Sequence, residues 1–145
     1  MAKLASKRST CLRRHVGAIL VRDNQILSSG YNGSPKNIRH CAEAGCLRQQ
    51  NNVPSGEKHE LCRGVHAEQN AIIQAGINGS STKGSILYCT HQPCSICAKL
   101  IINAEITTVY IADSYPDALG EELLAEAGVE LILYNPEDES LQRLI

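Results

Sequence analysis

Charge imbalance, long apolar runs and internal repeats are all missing from this sequence, and each absence narrows what the chain can be. Its 14 Lys and Arg oppose 15 Asp and Glu for a formal net charge of −1, so no global field draws it to nucleic acid or to an anionic membrane. The longest apolar stretch, Val16 to Val21, is far too short to span a bilayer. The first ten residues are basic but hold no apolar core of the kind a secretory signal needs. A cytoplasmic protein with neither a membrane nor a nucleic-acid partner is the expectation. No repeat, low-complexity tract or linker divides the 145 residues, so residues 1–145 are expected to form one domain that buries roughly two-thirds of its unfolded surface.

Cysteine, by contrast, is plentiful, with seven in the chain. In an intracellular protein these point to metal before disulfides. Cys94 and Cys97 form Pro93-Cys94-Ser95-Ile96-Cys97, and upstream stands His66-Ala67-Glu68. Three ligands of this kind hold a tetrahedral zinc and leave its fourth position for water. Glu68, two residues after the histidine, is placed to handle that water's protons. A purely structural zinc with a fourth ligand elsewhere is the bland alternative, but such a staple needs no carboxylate beside it. Glu68 alone is also explained as a first-turn acid on a helix. Either short motif arises by chance. Both in this order, with Pro before the first Cys, match the H-x-E…P-C-x-x-C signature of the zinc nucleobase deaminases.

Between Tyr31 and Gly64 regular patterning breaks down, and a structureless stretch of this length is improbable inside a compact domain. Its cysteines and histidines suggest that metal holds an insert at about 37–63. Cys41, Cys46, His59 and Cys62 would make a second four-ligand zinc site, with Cys11 a fifth candidate. The competing reading is that some are buried free thiols. Cys89, in the run 85–89, reads as a small buried hydrophobe on a strand.

Residues 16–21 and 25–30 flank Arg22-Asp23-Asn24 and read as a hairpin. Helices are expected over 66–75, 94–104 and 117–127, and strands over 85–90, 106–112 and 129–134. The tail, 135–145, is expected to form a short helix. This order gives a three-layer α-β-α fold around a five-stranded mixed sheet, with right-handed crossovers. Both halves of the zinc motif then begin helices.

Asn32, in Tyr31-Asn32-Gly33-Ser34-Pro35, is a natural turn residue, yet the loop after a strand is also where an amide can fix a sugar hydroxyl. Arg13 and Arg14 sit in a basic cluster, by default a solvated face, although a nucleotide phosphate requires a cation. Tyr115, at a strand end, can stack on a base or pack its own loop.

The chain resembles the deoxycytidylate (dCMP) deaminases of the cytidine deaminase superfamily. The likeness rests on Lys7-Arg8-Ser9-Thr10-Cys11, His15-Val16-Gly17-Ala18, residues 30–35, residues 62–72 and residues 90–99. It implies a cytidine deaminase-like fold and zinc-dependent hydrolysis of dCMP to dUMP and ammonia, feeding thymidylate synthesis, with Glu68 as proton carrier. It implies Asn32 on the deoxyribose, Arg13 on the 5′-phosphate, and Ala67 and Tyr115 among the substrate contacts. Cys11, Cys41, Cys46 and Cys62 are the implied ligands of a second, structural Zn2+, with His59 as substitute. A hexamer is implied, and dCTP activation with dTTP inhibition, Mg2+ accompanying such an effector. Deamination of dCTP or another cytosine nucleotide is the near alternative. A tRNA adenosine deaminase shares the zinc motif but should carry a basic face, and a non-catalytic zinc-held binding module has no use for Glu68.

Overall fold

Asp23 and Asn24 both adopt positive φ, 52° and 61°, the backbone that joins two strands in a tight hairpin. They connect β1 (Gly17–Arg22) to β2 (Gln25–Tyr31). The computed structural model describes residues 1–145. After α1 (Ala2–Ser6) and this hairpin come α2 (Cys41–Ala44), α3 (Leu47–Gln50) and a 3-10 turn at His59–Leu61. Then follow α4 (Ala67–Ile77), β3 (Ile86–His91), α5 (Ser95–Asn103), β4 (Thr108–Asp113), α6 (Ala118–Glu126), β5 (Glu130–Asn135) and β6 (Ser140–Arg143).

The strands form one mixed sheet in the order β2-β1-β3-β4-β5-β6. Strands β3, β4 and β5, separated by single helices, run parallel, while β1 is antiparallel to both its neighbours. The sheet thus has six strands where five are expected, and the tail is a strand, not a helix. Asn135 Oδ1 accepts from the Glu137 N–H and Asp138 Oδ1 from the Ser140 N–H, both at 3.0 Å. These side-chain-to-backbone turns reverse the chain, and Leu141 pairs with Tyr134.

The core is aliphatic, since the chain has neither Phe nor Trp. Alternate residues Ala18, Leu20, Leu87, Cys89, Val109, Ile111 and Leu131 cluster with Ala67, Ala71 and Ala75 of α4, Ala98 and Ile101 of α5, and Leu124 of α6. The small side chains let α4 approach β2 closely, and Ser28 Oγ donates to the Ala71 carbonyl at 2.6 Å. On the opposite face α1 crosses β1, β2 and β3, and Tyr88 stacks on Tyr110 with ring centroids 5.0 Å apart. No helix is long and apolar enough to cross a membrane.

Because β1 is antiparallel to β3, the start of β1 lies beside the end of β3, and Ala18 pairs with Cys89. The end of β2 lies there too, Tyr31 opposite Gly17. One end of the sheet therefore gathers the segment before β1 and the segments after β2, β3 and β4. The insert folds over that end as short helices.

Candidate active site

His66 is the N-cap of α4, where its N–H donates to Gln69 Oε1 at 2.8 Å. Cys94 is the N-cap of α5, and Cys97 lies in that helix's first turn. His66 Nδ1 is 3.6 Å from Cys94 Sγ and 3.2 Å from Cys97 Sγ. One ligand atom from each of the three lies within 4.8 Å of the others, a metal-binding geometry. Hydrogen bonding from Cys97 leads the fall of Cys94 to a pKa of about 4, and hydrogen bonding to Cys94 together with burial pushes Cys97 up. Such a site is disposed to carry thiolate, the form that ligates metal.

Glu68, in the first turn of α4, is only 5% exposed. Burial raises its carboxyl above the usual carboxylate range, toward the region where one group can both take and give a proton. It lines a cavity of about 490 Å³ together with His66 and Cys94. Three arginines, Arg13, Arg14 and Arg48, share the wall, and Glu68 is its only carboxyl group. Anions are favoured in such a cavity.

Asn32, Ala67 and Tyr115 line the same cavity. The Asn32 amide bridges the entering chain, with Oδ1 accepting from the Val16 N–H and Nδ2 donating to the Arg14 carbonyl, both at 2.8 Å. One N–H and one lone pair remain for a ligand. Ala67 is fully buried. Tyr115 donates its N–H to Gln92 Oε1 at 3.0 Å, and the Arg14 guanidinium lies 5.6 Å from its ring centroid. Gln92 and Asp117 were not singled out by sequence reasoning. The Asp117 carboxylate accepts from Ser95 N–H and Gly120 N–H at 2.8 Å each, fixing the start of α5 to the start of α6.

Cys11, Cys41 and Cys62 line the same cavity, and Cys46 stands near enough to Cys41 to act on its thiol. Burial, then the neighbouring thiols of Cys62, Cys11 and Cys46, raise the Cys41 pKa. Cys11 Sγ accepts from the Arg13 N–H, and Cys62 Sγ from the Gly64 N–H, both at 3.4 Å. No three of these sulfurs form a group as tight as the His66 triad. His59 lies elsewhere, its ring edge-on to His66 with centroids 5.1 Å apart.

Residues 1–113 match the family described as the cytidine and deoxycytidylate deaminase zinc-binding region. The deoxycytidylate deaminase of Schizosaccharomyces pombe is 39% identical over 142 residues, 97% of this chain and 44% of that protein. ComE operon protein 2 of Bacillus subtilis is 43% identical over 127 residues, 87% of this chain and 63% of that protein. The chain thus spans about half the length of these curated relatives. A dCMP deaminase from cyanophage S-TIM5, solved in complex with dCMP and dUMP, superposes with a TM-score of 0.74 at 34% identity, covering 90% of this chain and 88% of that one.

Proposed function

This chain belongs to the cytidine and deoxycytidylate deaminase family, and from that membership we propose that it hydrolyses dCMP to dUMP and ammonia. The observation that carries the reading is the buried Glu68 beside the His66, Cys94 and Cys97 triad, in a cavity whose other charged lining is cationic. The cyanophage relative, whose complex holds dCMP and dUMP, supports the choice of substrate.

The donor set, one imidazole and two thiols, suits zinc, and its atoms are already close. A zinc ion there supplies the electrophilic activation that makes water a nucleophile at neutral pH. Glu68 takes a proton from the water that attacks C4 of the cytosine and delivers it to ring N3. It then carries the second proton to the departing amino group, which leaves as ammonia. Asn32 spends its remaining donor on the deoxyribose, Tyr115 packs against the base, and the buried Ala67 closes the floor. Arg13, whose Nη1 is buried without a partner, faces the 5′-phosphate. Ammonia release from dCMP, dCTP, CMP and deoxycytidine tests the reading. The zinc-loaded protein is expected to give its highest kcat/KM with dCMP. Preference for dCTP moves the substrate, and no release from any of them rejects the activity.

The reading includes a second, structural zinc held by Cys11, Cys41, Cys46 and Cys62, and its support is the buried Cys41 among three thiols, two of them receiving backbone N–H groups. Metal would tie residues 41–62 to the segment before β1 and contribute on the order of 10 kcal/mol of apparent binding energy to folding. Elemental analysis should find about two zinc ions per chain. Replacing Cys94 and Cys97 with serine should leave one of them, and replacing Cys41 and Cys62 should leave the other. A single zinc in fully loaded wild-type protein contradicts the second site. A cytoplasmic homo-oligomer completes the reading, supported by exposed Ile73 and Ile77 on α4 and Ile96 and Leu100 on α5.

A further inference from the structure

Arg48 has no assigned part in this chemistry, yet it is the most deeply buried cation of the cavity wall. It is 9% exposed, its Nε has no hydrogen-bond partner, and no ion pair of the structure includes it. Its one side-chain hydrogen bond runs from Nη2 to the Pro54 carbonyl at 3.2 Å. A guanidinium taken out of water without an anion is costly. Proteins meet that cost where a ligand supplies the counter-charge, and the cavity that Arg48 lines has Glu68 as its only carboxyl group.

Two features hold the side chain where it is. Helix α3, which carries Arg48, starts directly after Cys46, its N-cap. On the other side the loop over 51–54 returns, with the Val53 N–H donating to the Arg48 carbonyl at 2.8 Å and Val53 itself buried. The guanidinium is thus anchored by the insert, not by the sheet. Among the buried side-chain nitrogens without partners, those of Arg13 and Arg48 are the ones whose residues line the cavity. They come from different segments of the chain, one before β1 and one in the insert.

We propose that Arg48 is a substrate-recognition residue whose guanidinium binds the 5′-phosphate of the nucleotide together with Arg13, so that the cysteine-rich insert itself distinguishes nucleotide from nucleoside. The proposal rests on the reading of the cavity as a nucleotide site. A phosphate monoester dianion carries enough charge and enough oxygens for two guanidinium groups, and Arg presents the paired donors that such an anion accepts. The insert then forms part of the specificity wall in addition to covering the sheet end.

Calorimetric binding of dUMP and of deoxyuridine to the zinc-loaded protein tests this without turnover. Arg48→Ala and Arg48→Gln should each lower the ratio of dUMP affinity to deoxyuridine affinity by about 50-fold, the loss expected for a charge-assisted phosphate contact. Glutamine retains a donor for the Pro54 carbonyl while losing the charge, so it separates recognition from loop support and serves where the alanine variant does not fold. An unchanged ratio in the glutamine variant, or equal weakening of both ligands, overturns the proposal. So does a wild-type protein that binds dUMP no more tightly than deoxyuridine. The activity reading fails separately, through the absence of ammonia release by wild-type protein.

Discussion

Glu68→Gln is expected to lower kcat for dCMP by at least about three orders of magnitude while zinc content and nucleotide affinity stay at wild-type values. The substitution preserves the volume and the hydrogen-bonding reach of a side chain that is 5% exposed. What it removes is the ability to take a proton from water and return it to the ring and to the amino group. Burial raises the Glu68 pKa, which suits it to both transfers, and an amide can perform neither. Single-turnover rates beside elemental analysis check this. Near-normal turnover, or loss of zinc from the variant, would falsify the assignment.

Gly30→Ala should be a strongly damaging conservative change in the sheet. A β-carbon at Gly30 would press on the Ala67 carbonyl oxygen and stand 2.5 Å from the Ala71 nitrogen. Both are backbone of α4, so neither can rotate away. Overpacking of this kind costs typically about 1–3 kcal/mol, and two rigid backbone atoms of one helix place this site near 3 kcal/mol, roughly a hundredfold in the folding equilibrium. The molecules that stay folded should also lose activity, because the displaced first turn of α4 carries Glu68 and follows His66. Gly76→Ala in the same helix is the control. Nothing lies within 4 Å of its added carbon, and helix propensity predicts a gain of about 0.5–1 kcal/mol. Denaturant midpoints of the two variants should therefore move in opposite directions. Equal midpoints would show that α4 can give way.

The metal triad was legible because its constraints are local. His66 and Glu68 share a helix start, as do Cys94 and Cys97, and zinc dictates the residue types. The hairpin was legible for the same reason, since Asp23 and Asn24 are among the few residues that accept positive φ. Strand β6 was not legible. Its place is set by two turns at Asn135 and Asp138 and by pairing across the chain, and none of this leaves a periodic pattern. Arg48 was missed because its meaning lies in burial. In the sequence it is one more basic residue in an irregular stretch, and only the closure of α3 and residues 51–54 removes it from water. The bridging by Asn32 was within reach. The hairpin register that sets Gly17 opposite Tyr31 also brings Val16 beside Asn32.

The cavity's dependence on β1 lying between β2 and β3 bears on the order in which the chain gains activity. The hairpin closes locally, but the Gly17 N–H reaches Thr90 Oγ1 across 73 residues of sequence. Loop-closure entropy opposes that ladder until long-range contacts reward it. Arg13, Asn32 and the triad therefore meet only after β3 has docked, however early the hairpin and α4 form. During refolding, recovery of nucleotide turnover reports the joining of the two halves of the sheet, a step that helix content measured along the way does not track.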